Sequence, residues 1–424
     1  MKEQTSLQGI AKKAATNKRY RFQNLYGLIT VNFLVWCWQF INKKAASGVD
    51  KETAELFAQE LYPRAEKLVE QLKKKSYRAK LVLRKYIPKG KDKLRALGLP
   101  VIADKLLQMS ATKILEAIYE QDFYSYSYGY RVGKSAHDAI RELSTILNSR
   151  QYHYVVEADI RSFFDKIDHD ILLELLSRRI NDRAFLNLIR KWLKAGILEE
   201  DMVIHPITGT PQGGVISPVL ANIYLHYAID VWFEEEIKLK SKGKTYLCRY
   251  ADDFVCVFEC EVDAQNFYNL LGQRLADFSL GVAEEKTQLM KFSHLDIKMS
   301  GIFVFLGFEF SWGLNRWHKP SLIRRTSRVK YRASLTSFTE WCYKNCSMKL
   351  NVLFEKINRK LRGYFQYYGL RRNYKSIKDI YYHMKGILFK MLNRRSQRKS
   401  YTWKSFYQML RSFNLIKPRV CHDF

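Results

Sequence analysis

The decapeptide RYADDFVCVF, residues 249–258, sets two adjacent aspartates in a run that otherwise reads as a buried strand. Tyr250 and Ala251 precede Asp252 and Asp253, and Phe254, Val255, Cys256, Val257 and Phe258 follow. Burying one carboxylate without a partner costs several kcal/mol, and burying two side by side costs more. The chain must therefore fold so that positive charge reaches this point.

A third carboxylate is available. Asp159 ends the strand-like YVVEAD (154–159), as Asp252 sits at the turn of its own strand pair. Three carboxylates on neighbouring strands of one sheet can hold hard divalent cations, and Mg²⁺ prefers oxygen ligands while keeping room for waters and substrate phosphates. Two such ions about 4 Å apart can activate an attacking hydroxyl and stabilise a leaving pyrophosphate. The competing reading, a purely structural trio of acids, has no other partner for all three in view.

Charge points the same way. The chain of 424 residues carries a formal +30, far from neutral, and a protein this basic commonly meets a polyanion, with nucleic acid foremost. Residues 311–424 hold 27 Lys and Arg against 4 Asp and Glu, so this segment reads as the grip and the chemistry is expected elsewhere. The seven cysteines form no disulfide framework. Cys342 and Cys346 could share a helix face, but such a CxxxC pair has no second pair at a zinc spacing. Reduced thiols in a cytosolic protein are expected. The N-terminus is polar and basic, so no signal peptide is expected. LYGLITVNFLVWCWQFI (25–41) is short for a membrane span and predicts an amphipathic helix packed on its own protein.

Along the chain, residues 1–80 read as mostly helical, with FAQELYPRAEKLVEQLKKKSY (57–77) showing helical spacing. Two strand-like runs around a Lys/Gly/Asp turn make residues 81–100 a hairpin bearing Arg84, Lys85, Lys89, Lys91, Lys93 and Arg95. It is either a solvated loop or a clamp in which Lys89 and Arg95 hold a triphosphate. SYSYGYRVGKSAHDAIREL (125–143) is a loop entering a helix, and YHYVVEADIRSFFDKIDHDILLELL (152–176) is a strand, an acidic turn and a helix. ITGTPQGGVISPVLANIYLHYAID (207–230) is a glycine-rich loop entering a long helix, and FVFLGFEFSW (303–312) is another strand pair. Past Ser311 the signal is helical. Leu350, Leu353, Ile357, Leu361, Tyr364 and Tyr368 mark one face. Ser376 with Asp379 suggests a capping box before a stripe of Ile380, Met384, Ile387 and Met391. The class is α+β with a basic helical appendage.

These segments carry a family resemblance. RYADDFVCVF resembles the active-site hairpin of reverse transcriptases, and GTPQGGVISPVLANIYL resembles the glycine-rich motif of the group II intron type. IPKGKDKLRALGLPVIADKLLQ, SYGYRVGKSAHDAI, VVEADIRSFFDKIDHDIL and FVFLGFEF are similar to the family's remaining motifs, in order. RGYFQYYG and NRRSQRKSYTWKSF are similar to its thumb, or maturase, region. The resemblance implies a right-hand polymerase: an N-terminal helical extension (1–80), fingers (81–150), a palm with an antiparallel sheet (151–310) and a basic helical thumb (311–424). It implies an RNA-directed DNA polymerase, a nucleotidyltransferase using two Mg²⁺ ions, dNTPs, a structured RNA template and a DNA or RNA primer. A bacterial cytosolic location and no membrane partner are expected with it.

Residue by residue, the resemblance implies that Asp159, Asp252 and the Ile160 carbonyl ligate the metals and that Asp253 completes the triad. Phe164 falls where the family blocks a ribose 2′-hydroxyl, although Phe163 and Phe164 could both be core residues. Gln212 and Ala251 would line the nucleotide pocket, or Gln212 could merely satisfy loop backbone. Lys89 and Arg95 match finger cations on the triphosphate. Lys286 would donate a proton to pyrophosphate, or be a solvated lysine. Leu306 and Gly307 would form the primer grip, and Arg394, Arg395, Arg398 and Lys399 would bind RNA. A following Cys/His nuclease segment is not expected. Three alternatives stay open: an antiphage-defence relative copying a dedicated noncoding RNA, a splicing maturase with secondary polymerase activity, and an RNA-templated RNA polymerase, which Phe164 opposes.

Overall fold

The computed structural model describes residues 2–88, 94–199, 202–204, 208–210, 213–395 and 401–424, and side chains from residue 6 on. The strands are β1 (Val82–Pro88), β2 (Leu94–Leu99), β3 (Tyr154–Asp159), β4 (Ile197–Glu199), β5 (Met202–Ile204), β6 (Thr245–Tyr250), β7 (Asp253–Phe258), β8 (Gln288–Lys291), β9 (Phe303–Phe305), β10 (Phe308–Leu314) and β11 (Pro320–Thr326). Strands mixed with helices make the α+β class that the sequence predicts. The chain forms two compact units, Met1–Ala139 with Ala158–Leu289, and Ile140–Glu157 with Met290–Phe424.

In the first unit the basic hairpin forms as expected. β1 pairs antiparallel with β2, Leu83 opposite Leu99 and Pro88 opposite Leu94. Val82 and Leu83 then pair in parallel with Ile197 and Leu198 of β4, giving the order β2-β1-β4-β5. Glu199 takes the Arg84 guanidinium at 3.1 Å and the Tyr86 hydroxyl. A second sheet runs in the order β6-β7-β3-β8; β3 ends in this unit and β8 begins in it. Helix Ile102–Tyr119 supplies much of the core, burying Leu106, Leu107, Ala111, Ile114, Leu115 and Ile118.

Two helical expectations in this unit need correction. Residues 25–41 do not form one helix. A 3₁₀ turn at Tyr26–Leu28, helix Val31–Cys37 and a 3₁₀ turn at Trp38–Phe40 replace it. Thr30 is the reason: it is extended, and its hydroxyl accepts from the Phe33 N–H at 3.2 Å, starting a new helix. Among the described residues no helix is long and apolar enough to cross a membrane. The 57–77 pattern breaks at Glu60 into helices Ala54–Gln59 and Leu61–Lys73. Pro63, three residues into the second helix, lacks the N–H that a continuous helix would use there.

In the second unit β9, β10 and β11 form a meander, with Phe305 opposite Phe308 and Phe308 opposite Thr326. Helices Arg328–Lys344, Leu350–Tyr368, Tyr374–Asn393 and Trp403–Ser412 bury Phe338, Leu353, Ile357, Leu361, Ile380, Met384, Met391 and Phe406. The two apolar stripes are thus as expected. The capping box is not. The helix starts at Tyr374, so Ser376 and Asp379 lie inside it, and Asn373 stands at its N-cap. Asn373 instead donates its amide to Thr326 Oγ1 (2.7 Å) and Tyr368 O (2.8 Å). All seven cysteines are free. Cys342 is buried in helix Arg328–Lys344, but Cys346 lies exposed beyond its end, so the two share no helix face.

Candidate active site

The strand reading of residues 249–258 resolves into a hairpin whose turn is Ala251–Asp252, closed by Tyr250 opposite Asp253. Asp252 therefore lies in the turn of its strand pair, as expected, and Asp253 begins β7; both are half-buried. Ala251 has φ 56°, a left-handed conformation that costs an L-residue roughly 1–2 kcal/mol. Its surroundings hold it there. Arg249, fully buried in β6, donates from Nη1 to the Ala251 carbonyl at 3.2 Å. The remaining guanidinium donors are taken up at the same point: Nε and Nη2 reach Asp230 Oδ1 and Oδ2 at 2.7 and 2.5 Å, and Nη2 also reaches Ser127 Oγ at 2.8 Å. Nη1 also donates to Asn222 Oδ1 at 3.2 Å, and the Asn222 amide donates to Gly129 O at 2.7 Å.

Asp230 closes a π-helical turn, His226–Asp230, within the helical run that follows the glycine-rich loop. Burial pushes its carboxyl upward, but the Arg249 charge and hydrogen bonds outweigh that and hold it below the usual range. A buried ion pair of this kind needs such full hydrogen bonding to offset desolvation. The motif's arginine thus serves Asp230 and the turn backbone.

Asp159 ends β3 beside residues 281–287. Its carbonyl accepts from Ala283 N (2.9 Å), Arg161 N donates to Gly281 O (2.9 Å), and Ile160 bridges to Val282. The Lys286 ammonium pairs with Asp159 Oδ2; that hydrogen bond chiefly, with the charges of Asp159, Glu285 and Asp252, raises its pKa against partial burial. Phe164 follows Ser162, which has φ 47°. Its carbonyl accepts from Thr210 N at 2.8 Å, pinning it to the loop before the helix Ser217–Leu225. Phe163 is buried, whereas Phe164 is half-buried and meets the Tyr130 ring edge-on at 6.3 Å.

Asp159, Ile160, Phe164, Asp252, Lys286 and Arg95 line one cleft of about 760 Å³, together with Tyr130 and Gly213. Burial raises the Tyr130 phenol, the Asp252 charge adds to this, and Arg95 opposes it. Asp253 and Ala251 do not line the cleft. Leu306 (φ 50°) and Gly307 (φ 80°) form the β9–β10 turn of the second unit, where Tyr367 Oη donates to Leu306 O at 2.8 Å. Also in that unit, Arg394 donates to Tyr343 Oη (2.8 Å) and Arg395 to Met348 O (2.9 Å). Lys89, Gln212, Arg398 and Lys399 lie outside the described residues.

Among the described residues no group of three or more His, Cys, Asp or Glu side chains is placed to hold a metal ion; Asp159 and Asp252 reach the cleft and Asp253 does not. The donors facing the cleft are nonetheless hard carboxylate oxygens, and the cleft has room for the waters and phosphates that Mg²⁺ retains. The residues present therefore fit such an ion in chemistry. Sequence reasoning missed Tyr130, Asn222 and Asp230. The available signal was Arg249 itself, a cation in an apolar strand that demands a buried acid.

Residues 87–310 match the family described as reverse transcriptase (RNA-dependent DNA polymerase), more than half of the chain. The chain belongs to the reverse transcriptase family. Residues 335–409 match the maturase-specific domain of group II introns. The chain is 37% identical over 225 residues to the group II intron-encoded protein LtrA of Lactococcus lactis, covering 52% of this chain and 37% of LtrA. It is 32% identical over 280 residues to the protein YkfC of Escherichia coli, covering 58% of this chain and 74% of YkfC. The chain thus spans little more than a third of LtrA. The reverse transcriptase match contains all three aspartates, Lys286 and the Leu306–Gly307 turn, and the maturase match contains Arg394 and Arg395.

Proposed function

We propose that this protein is an RNA-directed DNA polymerase of the group II intron type, extending a DNA or RNA primer with dNTPs on a structured RNA template. What carries the reading is that Asp159, Asp252, Arg95, Lys286 and Phe164 line one cleft in a chain of the reverse transcriptase family. The extension, fingers, palm and thumb would be residues 1–80, 81–150, 151–310 and 311–424. Asp159, Asp252 and the Ile160 carbonyl would hold two Mg²⁺ ions, with Asp253 completing the acidic set. Bound there, these ions would supply Lewis acidity to the primer 3′-hydroxyl and charge stabilisation to the leaving pyrophosphate.

This chain's own groups do the rest. The Arg95 guanidinium, exposed in the cleft, attracts the triphosphate. Lys286, held protonated by its acidic neighbours, carries a proton on Nζ toward the departing pyrophosphate. The Phe164 ring, half-buried on the cleft wall, would exclude a ribose 2′-hydroxyl. The buried Arg249–Asp230 pair keeps the Ala251–Asp252 turn in place.

Primer extension on an RNA template with dNTPs and Mg²⁺ tests the proposal, and absence of product on both RNA and DNA templates would overturn it. Two variants sharpen it. Phe164→Ala is expected to raise rNTP incorporation relative to dNTP by about tenfold or more; an unchanged ratio removes Phe164 from its role. Gly129→Ala tests the turn, because a methyl there would overlap the Ala251 amide nitrogen and lie 3.0 Å from Ala251 Cβ. Displacing a reacting group by about 1 Å costs on the order of a hundredfold in rate, so kcat should fall by that order. Unchanged kcat would show that the turn tolerates displacement.

The maturase-specific match favours a second role for the same chain, binding intron RNA through its basic C-terminal segment. Splicing of a flanking intron should then survive loss of the aspartates and fail when Arg394, Arg395 and Arg398 become alanine.

A further inference from the structure

Within the second unit, helix Tyr374–Asn393 turns Ile377, Ile380, Met384, Leu388 and Met391 into the core. Lys385 stands off that stripe. Its Nζ lies 5.0 Å from the Tyr381 ring centroid, 5.8 Å from Tyr382 and 5.2 Å from Tyr407, which belongs to helix Trp403–Ser412. One turn further along, Trp403 stacks on Phe389 at 3.9 Å and 9°. These rings are not hidden: Tyr382 is 67% exposed, Trp403 48% and Tyr407 41%. Large aromatic faces left in water beside a cation are unusual on a surface with nothing to meet.

The cation is also unneutralised. Among the described residues Lys385 makes no ion pair, and Asp379 is the one acid in residues 374–412 against ten Lys and Arg. Burial against the rings lowers the Lys385 pKa, which marks a partly desolvated ammonium. Three tyrosine faces stabilise it only in part. An anion flanked by flat apolar groups would complete the arrangement, and an unpaired nucleotide has that composition. Duplex RNA does not, because its bases are stacked on one another and unavailable to the rings.

We propose that Lys385 with Tyr382, Tyr407 and Trp403 forms a stacking site for unpaired RNA nucleotides, the ammonium meeting phosphate and the exposed rings meeting bases. The site rests on and deepens the RNA-binding part of the proposed function, and it uses none of Arg394, Arg395 and Arg398.

The test is fluorescence anisotropy of the full chain with labelled oligo(U) and with a blunt RNA duplex of matching length, across a KCl series. Tyr382→Ala/Tyr407→Ala is expected to weaken oligo(U) binding by about tenfold per ring while leaving its salt slope unchanged, because stacking releases no counterions. Lys385→Gln should instead lower the slope by about 0.7, the share of one single-strand phosphate contact. Tyr382→Phe/Tyr407→Phe should bind as the parent does, and its melting temperature beside that of the alanine variant separates lost stacking from lost folding. Duplex affinity should not change in the ring variants. Unchanged oligo(U) affinity in the double alanine variant, or an equal loss on duplex, would overturn the site. Primer extension by the same variants on a short unstructured template keeps the two readings apart. A parent chain that never extends a primer removes the polymerase assignment alone, whereas an extending chain whose oligo(U) affinity is indifferent to Tyr382 and Tyr407 removes the stacking site alone.

Discussion

Asp252→Ala is expected to abolish primer extension on an RNA template, with a loss of about a thousandfold or more. Asp252 is half-buried at a turn and lines the cleft with Asp159, so its carboxylate contributes field and ligand oxygens there rather than packing. The variant should stay folded, with a stability change no larger than the typical point change of about 1 kcal/mol. Asp253 offers the contrast. It begins β7 and does not line the cleft, so Asp253→Ala should cost less than Asp252→Ala. Single-turnover extension with saturating dNTP measures both. Near-parental rates for Asp252→Ala would remove the metal-dependent mechanism, and a larger loss at Asp253 would reverse the assignment of the two acids.

Asp230→Ala is expected to destabilise the fold by about 3–5 kcal/mol, since it strands the Arg249 charge with no counterion. Both side chains are fully buried, and the other groups that the guanidinium holds, Ser127, Asn222 and the Ala251 carbonyl, are neutral and cannot replace the carboxylate charge. The urea midpoint reads the change. The same pair predicts a pH dependence. Asp230 has a lowered pKa in the folded state, so the unfolded chain binds the proton more readily. The pair's contribution is complete above the unfolded aspartate value of about 3.9 and is lost as pH falls through the lower folded value. In Asp230→Ala that share of the acid-side loss should be missing. A variant as stable as the parent at neutral pH would mean that the pair's desolvation cancels its attraction.

Much of this protein follows from local pattern. Alternation and a Gly-bearing turn define the β9–β10 hairpin, and a basic turn between two apolar runs defines β1–β2. Helical periodicity defines the faces through Leu353, Ile357 and Leu361 and through Ile380 and Met384. Asp159 and Asp252 were legible as candidates because a carboxylate at the end of an apolar strand needs a positive partner to offset its desolvation.

What the pattern did not contain was pairing at a distance. Thr30 broke a helix that hydropathy favoured, because a side chain that caps the backbone locally outcompetes a short apolar stripe. Ser376 and Asp379 had the spacing of a cap, yet Asn373, fastened to Thr326 and Tyr368, started the helix a turn earlier. Arg249, a cation in an apolar strand, implied a buried acid without saying which one. Only the folded backbone brings Asp230, 19 positions earlier, and Ser127, 122 positions earlier, onto its guanidinium. Residue type and period determine which segments become strands and helices, because those forces act within a few residues. Which buried charges meet depends on how the segments pack, because an ion pair survives desolvation only when the whole interior supplies its remaining hydrogen bonds.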